Sequence, residues 1–300
     1  MNGHIAAFAT TTVGQRFFTA YDGLLSSWPS DTTTLDVVGR FGSTRVTATG
    51  PETAPPVVLV PGFGSSSMAW AGVARDLGVD HRVFALDFIG DIGRSVPDDV
   101  RMRTMDDVIE WFDHLLDAAG LSSPSVVAHS YGAMLSVAYA LHRDDRVGRD
   151  DRVDRLVLMD PNACFAPTNP RYLVRSLPVV LRPTESRQER FLSWETDGVE
   201  FDDDLWTIMT VGPAHFPRRR PVVPRRPSTA QLSTLPHATT AVLAANSKVH
   251  DSERVSASIT DRLPWVRVCL IPAATHHSLP TVPHDPCVAA IRDALTIESA

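Results

Sequence analysis

The order of apolar and polar positions divides most of the chain into two alternating kinds of segment. Short runs that are apolar at nearly every position occur at residues 57–60, 83–86, 125–128, 156–159, 241–244 and 266–271. A strand with one face in water alternates polar and apolar side chains, so an unbroken run predicts a strand buried on both faces. Between most of these runs the apolar residues recur every three or four positions, as over 105–119 and 131–142, which predicts amphipathic helices. Strand and helix in alternation build an α/β architecture, a mainly parallel sheet with helices on both faces, because a parallel return needs a long crossover.

Before the first run, Phe17, Phe18, Tyr21, Leu24, Leu25 and Trp28 fall on one face of a helix that Pro29 stops. Two short strands are predicted over 33–38 and 43–49, around the turn Arg40-Phe41-Gly42. Two stretches break the alternation. Over 143–155 the sequence Arg-Asp-Asp-Arg-Val occurs twice, at 143–147 and 149–153, which reads as a duplicated, solvated loop. Over 164–237 no buried-strand pattern appears, yet Phe191, Trp194, Phe201, Leu205, Trp206, Ile208 and Met209 recur among polar residues. An excursion of that length is too long for a bare loop and predicts a small helical cap. The expected domains are a core of 1–163 and 238–300 and a cap of 164–237.

Composition narrows the class. The chain has 300 residues, 43% of them hydrophobic and 21% charged, with a formal charge of −7, which suits an ordinary globular protein with a large core. The one dense basic stretch, 218–226, is broken by prolines and not interleaved with aromatics, so no nucleic-acid partner is expected. Cys164, Cys269 and Cys287 are odd in number and lack metal-ligand spacing, which predicts reduced thiols and no metal site. No Lys or Arg precedes Arg16, and no stretch reaches membrane-spanning length. A soluble cytoplasmic protein with no membrane partner is therefore expected.

The strongest chemical signal is Ala128-His129-Ser130-Tyr131-Gly132, between a buried strand and a helix. It matches the G-x-S-x-G nucleophile elbow in four of five positions, with Ala128 for the first glycine. Small residues are needed there because the strand reverses sharply into the helix with the serine at its tip. A serine also needs a base and donors for the oxyanion formed on attack. The turn Pro61-Gly62-Phe63-Gly64-Ser65-Ser66 follows a strand, where sites of parallel sheets gather. The backbone N–H groups of Phe63 and Tyr131 are the expected oxyanion hole. Past the last buried run, Ala273-Ala274-Thr275-His276-His277-Ser278 presents two histidines in a short loop, either of which fits the order serine, acid, histidine.

These features in this order resemble the α/β-hydrolase superfamily, in its capped, esterase-like branch. The resemblance spans about residues 16–297 and includes the stretch Asp87-Phe88-Ile89-Gly90-Asp91-Ile92-Gly93-Arg94-Ser95 and Met159-Asp160-Pro161. It implies an eight-stranded sheet with a helical cap inserted after strand six, and ester-type hydrolysis without a cofactor. The family's Pro-Gly-x-Gly-His pattern implies His276 over His277. Three positions depart from it: Pro61 replaces a histidine, Ala128 a glycine, and Ser247 the acid usual after the seventh strand. Asp160 then becomes the expected acid, as in lipases that take it from an Asp-Pro at the sixth strand, with Asp251 as the alternative.

The expected function is that of a serine hydrolase acting on an ester, thioester or lactone carbonyl through a covalent acyl-enzyme, with Ser130, His276 and Asp160 as the triad. Its substrate would be a small molecule with an apolar portion, met by cap residues among Phe191, Trp194, Trp206 and Met209. The same triad could serve acyl transfer, cyclisation or C–C cleavage, and the pocket could belong to a non-catalytic binding protein.

Overall fold

Each of the apolar runs becomes a strand of one sheet in the computed structural model, which describes residues 3–142, 152–236 and 238–296. Two helices, α1 (Gly3–Ala9) and α2 (Thr12–Ser26), precede the hairpin of β1 (Thr33–Gly39) and β2 (Gly42–Thr49). Then come β3 (Pro56–Val60), α3 (Ala71–Leu77), β4 (Arg82–Leu86), the two-residue β5 (Val96–Pro97), α4 (Met105–Ala118), β6 (Ser125–His129) and α5 (Tyr131–Leu141). Past residue 151 the chain runs through β7 (Leu156–Met159), α6 (Pro170–Leu181), α7 (Glu185–Glu195), α8 (Asp203–His215) and α9 (Thr229–Leu232). It ends with β8 (Thr239–Ala244), α10 (Ser252–Arg262), β9 (Arg267–Ile271) and α11 (His284–Thr296).

The strand order is β1-β2-β4-β3-β6-β7-β8-β9, with β5 paired to β2. From β4 to β9 all neighbours are parallel, whereas β2 meets β1, β4 and β5 antiparallel. The short β5 was not legible in the sequence and brings the described strands to nine. Its two residues carry no periodicity, and pairing with Gly42 and Ser43 alone makes it a strand.

Alternation along each strand separates two cores. Val57, Leu59, Val127, Val157, Met159 and Val242 face one side, packed with α2, α3 and α11. Val58, Val60, Val126, Ala128, Leu156 and Leu158 face the other, packed with α4, α5 and α10. β9 departs from the expected doubly buried strand: Arg267 and Leu270 are exposed because it pairs with β8 alone and forms the edge of the sheet.

Four helices lie between β7 and β8. α6 and α7 share a small apolar cluster of Val179, Phe191 and Leu192. α8 instead packs along α2 and sends Leu205, Ile208 and Val211 into the main core, so the apolar stripe of α2 is covered jointly by the sheet and by this insertion. Residues 143–151, which hold most of the duplicated Arg-Asp-Asp-Arg-Val run, lie outside the described residues. Among the described residues no helix is long and apolar enough to cross a membrane.

Candidate active site

Chain order puts β3 in the middle of the sheet, with β4 added on one side and β6 on the other. The direction of strand addition reverses there, and the loops leaving β3 and β6 must part, which opens a crevice at their carboxyl ends. Ser130 stands at that crevice. It joins β6 to α5 with φ 53° and ψ −115°, a backbone conformation that ordinary residues avoid. The turn is held by its N–H donating to Met159 O at 3.0 Å. Gly132 is obligatory, since a Cβ there would lie 2.4 Å from the Pro61 carbonyl oxygen. A Cβ on Gly62 would come within 3.2 Å of Ser130 Cβ, so the Gly62-Phe63-Gly64 loop runs directly beside Ser130.

His276 and Asp160 reach the same point from β9 and β7. Asp160 Oδ2 lies 2.6 Å from His276 Nδ1, and His276 Nε2 lies 2.7 Å from Ser130 Oγ. An ionised carboxylate can only accept, so Nδ1 carries the proton and Nε2 is left to accept from the serine hydroxyl. Asp160 is fully buried and richly satisfied: Ala244 N–H donates to Oδ1 at 3.0 Å and Ser247 Oγ–H to Oδ2 at 2.8 Å. His250 Nε2 sits 3.1 Å from Oδ1, in ion-pair range but outside hydrogen-bond alignment. Burial would raise the carboxyl's pKa, but contact with His250 and His276 outweighs it and holds the group ionised, well below the usual carboxylate range. Asp251 faces elsewhere, capping α10 by accepting from Arg254 N–H. Ser247, which stands where the resemblance usually implies an acid, donates instead to the Asp160 carboxylate after β7.

Three further residues of this centre were missed in the sequence. His129 donates from Nε2 to the His276 carbonyl at 2.9 Å, and burial first, then the neighbouring His276, pushes its pKa down to about 3, so it stays neutral. Asp91 is buried and accepts from Gly64 N–H at 2.6 Å and Ile92 N–H at 2.9 Å, which braces the loop carrying Phe63. Burial lifts its pKa to about 6 against the opposing charge of Arg218. Glu195, at the end of α7, is fully buried and accepts from the N–H groups of His276 and His277. Its signal was present: Gln188, Phe191, Leu192 and Glu195 form one buried helical stripe, and a carboxylate inside such a stripe requires a partner.

Tyr131 is the first residue of α5, so its N–H has no acceptor within the helix and is free to face the crevice. Its ring meets that of Phe63 edge-on at 5.8 Å, and its hydroxyl donates to Val222 O at 2.6 Å. Beside this pair lies an apolar cavity walled by Phe41, Phe63, Phe88, Trp111 and Tyr131 and covered by Arg219, Arg220, Pro221 and Val222. The basic stretch is thus a strap. Arg218 stacks its guanidinium 4.8 Å from the centre of the Phe63 ring and reaches toward Asp91, while Arg219 donates to the carbonyl of Asp98.

The four aromatic and sulfur residues expected in a pocket lie apart from this cavity. Phe191 packs edge-on to His277 at 5.5 Å and borders a groove between α6 and α7 that Arg171, Arg175, Arg187 and Arg190 line. The Trp194 ring meets the cations of Arg175 at 5.3 Å and Lys248 at 5.2 Å, Trp206 stacks on Phe201, and Met209 packs among the apolar clusters. Among the described residues no group of His, Cys, Asp or Glu could hold a metal ion.

Comparison with known proteins agrees with this architecture. A family model described as "alpha/beta hydrolase fold" matches residues 55–202. The carboxylesterase YbfK of Bacillus subtilis is 33% identical over 163 residues, 54% of this chain and 53% of that protein. A second, uncharacterized carboxylesterase of B. subtilis, nap, is 29% identical over 181 residues, 60% of this chain and 57% of that protein. The chain thus spans a little over half the length of the curated relatives it matches. Crystal structures of B. subtilis carboxylesterase CesB (YbfK) and naproxen esterase superimpose with TM-scores of 0.81 and 0.82 at 24% and 23% identity, each covering 94% of this chain and 97% of the other.

Proposed function

We propose that this chain, which has the α/β-hydrolase fold, is a serine carboxylester hydrolase of that superfamily with Ser130 as nucleophile, His276 as general base and Asp160 as the acid that orients it. One observation carries the reading: the hydrogen-bonded chain from Ser130 Oγ to His276 Nε2, 2.7 Å, and from His276 Nδ1 to Asp160 Oδ2, 2.6 Å, at the carboxyl end of a parallel sheet. Ser130 Oγ attacks the ester carbonyl carbon while His276 Nε2 takes its proton. The oxyanion turns to the N–H groups of Phe63 and Tyr131, each worth about 3 kcal/mol in the transition state. Collapse expels the alcohol, which takes the proton from His276 and leaves an acyl group on Ser130. Water then repeats the sequence and releases the acid.

The apolar cavity beneath the strap receives the apolar portion of the substrate, since its wall includes the side chains of both residues assigned to the oxyanion hole. The test is a fluorophosphonate probe, with the labelled peptide identified by mass spectrometry and turnover followed on p-nitrophenyl esters. Ser130 is expected to carry the label. Ser130→Ala is expected to stay folded, to remain unlabelled and to keep less than about a thousandth of the activity. A wild-type protein that neither labels nor turns over any ester would refute the reading.

A further inference from the structure

Among the described residues, Glu195 is a buried charged group that touches the reacting centre and that the proposed chemistry leaves unused. It reaches the base from the insertion, not from the sheet. Oε1 accepts the N–H of His276 at 3.2 Å, and Oε2 accepts the N–H of His277 at 2.9 Å and the hydroxyl of Thr275 at 3.2 Å. The ring Nδ1 of His277 lies 3.2 Å from the same oxygen. Three consecutive residues around the general base are therefore gripped by one carboxylate.

The helix end that carries Glu195 is itself anchored. Lys248 Nζ donates to the carbonyls of Trp194 at 2.5 Å and Glu195 at 2.9 Å and to Asp197 Oδ1 at 2.6 Å, closing the last turn of α7. Lys248 directly follows Ser247, whose hydroxyl is bonded to Asp160. The end of α7 thus touches the loop of the acid through Lys248 and the loop of the base through Glu195. Burial opposes ionisation of Glu195, but the charge and hydrogen bonds of His277 and the charge of His276 prevail and bring its pKa to about 2, so the carboxylate accepts at both oxygens.

The base loop needs such a hold. It leaves β9, the edge strand, which has a hydrogen-bonded neighbour on one side only, and it turns through Ala273 at φ 61°. We infer that Glu195 is a positioning residue for the catalytic base: the carboxylate of the insertion fixes the backbone at His276 so that its ring keeps station between Asp160 and Ser130. This rests on the assignment of His276 as general base. Its consequence is that the insertion takes part in catalysis through the geometry of the base, independently of any contact with substrate.

The discriminating variant is Glu195→Gln, which keeps the shape but turns one acceptor oxygen into an NH2 group facing a backbone N–H. A misplacement of the base on the order of 1 Å corresponds to about a 100-fold loss of rate. The expected result is a kcat lowered about 100-fold with KM within about threefold, a fluorophosphonate labelling rate that falls in parallel, and partial recovery of kcat in Glu195→Asp, which retains both acceptors. A merely structural role would lower the melting temperature and leave kcat per folded molecule unchanged, and that result overturns the inference. Should Glu195→Gln not fold, Lys248→Met loosens the same helix end from the partly exposed side, and kcat is expected to fall about tenfold; an unchanged kcat there overturns the inference equally. The two levels separate cleanly. Unlabelled wild type refutes the hydrolase reading and the clamp with it, whereas labelled wild type with an equally fast Glu195→Gln refutes the clamp alone.

Discussion

Replacing Asp160 by asparagine tests the acid assignment through a conflict of donors that the structure makes unequal. The two carboxylate oxygens face Ala244 N–H and His250 on one side, and Ser247 Oγ–H and His276 Nδ1–H on the other. The amide of asparagine must put its NH2 group on one of these sides. A backbone N–H cannot change from donor to acceptor, so the oxygen stays with Ala244 and the NH2 turns toward Ser247 and His276. The serine hydroxyl can rotate and the imidazole can change tautomer. His276 then accepts at Nδ1 and carries its proton on Nε2, pointing it at Ser130 and leaving nothing to take the serine proton. The expected loss is about 10⁴ in kcat, or about 5.5 kcal/mol of barrier. Folding should suffer little, because the NH2 group donates to Ser247 Oγ and His276 Nδ1, and the hydroxyl of half-buried Ser247 can turn its own proton toward solvent. Steady-state turnover on p-nitrophenyl esters, with thermal melts on the same samples, reads both quantities. Asp251→Asn is the control, since asparagine caps a helix about as well as aspartate, and turnover should be unchanged. If Asp160→Asn stays within about tenfold of wild type, or if Asp251→Asn is the crippled variant, the acid is not Asp160.

Three further outcomes follow from the same geometry. His276→Ala should match Ser130→Ala in severity, whereas His277→Ala should lose less than about tenfold, because the backbone N–H that Glu195 accepts from remains; the opposite ranking in turnover would move the base to His277. Glu195, held near 2 from an ordinary 4.5, contributes stability that is fully present above pH 4.5 and is lost as the pH falls toward 2, so melts from pH 7 to pH 3 should show the penalty of Glu195→Gln shrinking as acid is added; a constant penalty would mean the carboxylate is not held ionised. Val222→Trp should fill the cavity under the strap and raise KM for bulky acyl esters more than for acetates, while Trp206→Ala leaves the chain-length profile unchanged; the reverse would return substrate selection to the insertion helices.

How much of this was legible in sequence depended on the range over which each feature is defined. Buried strands announce themselves within four to six residues, because a strand covered on both faces can hardly include a polar side chain. The elbow is largely local: Ser130, Tyr131 and Gly132 form one sharp turn of backbone with Ser130 at φ 53°, although the reason a Cβ is excluded at Gly132 is the distant Pro61 carbonyl. β5 has no such local cause, and its pairing with β2 across more than fifty residues creates it. Edge position is likewise invisible, since Val268, Cys269 and Leu270 read as core until the sheet leaves β9 without a second neighbour. The cavity escaped prediction for a related reason. Its walls come from the hairpin, the loops after β3 and β4, α4, α5 and the strap, whereas the pattern of apolar residues had drawn attention to the insertion.

What the sequence by itself determined is therefore most of the elements and the chemistry-bearing tips: the apolar runs, the serine between Ala128 and Gly132, the Asp-Pro after β7 and the histidine pair after β9. Each is a short-range requirement of backbone sterics or of burial and leaves a mark at its own position. Only the tertiary structure decided which tips meet. It set Asp160, and not Asp251, against His276, made Ser247 a donor to that carboxylate, and carried Glu195 from the insertion onto the loop of His276. A buried carboxylate costs several kcal/mol unless donors surround it, and those donors come from strands and loops far apart in the chain. The packing of the sheet brings them within reach, and no local pattern of residues records that encounter.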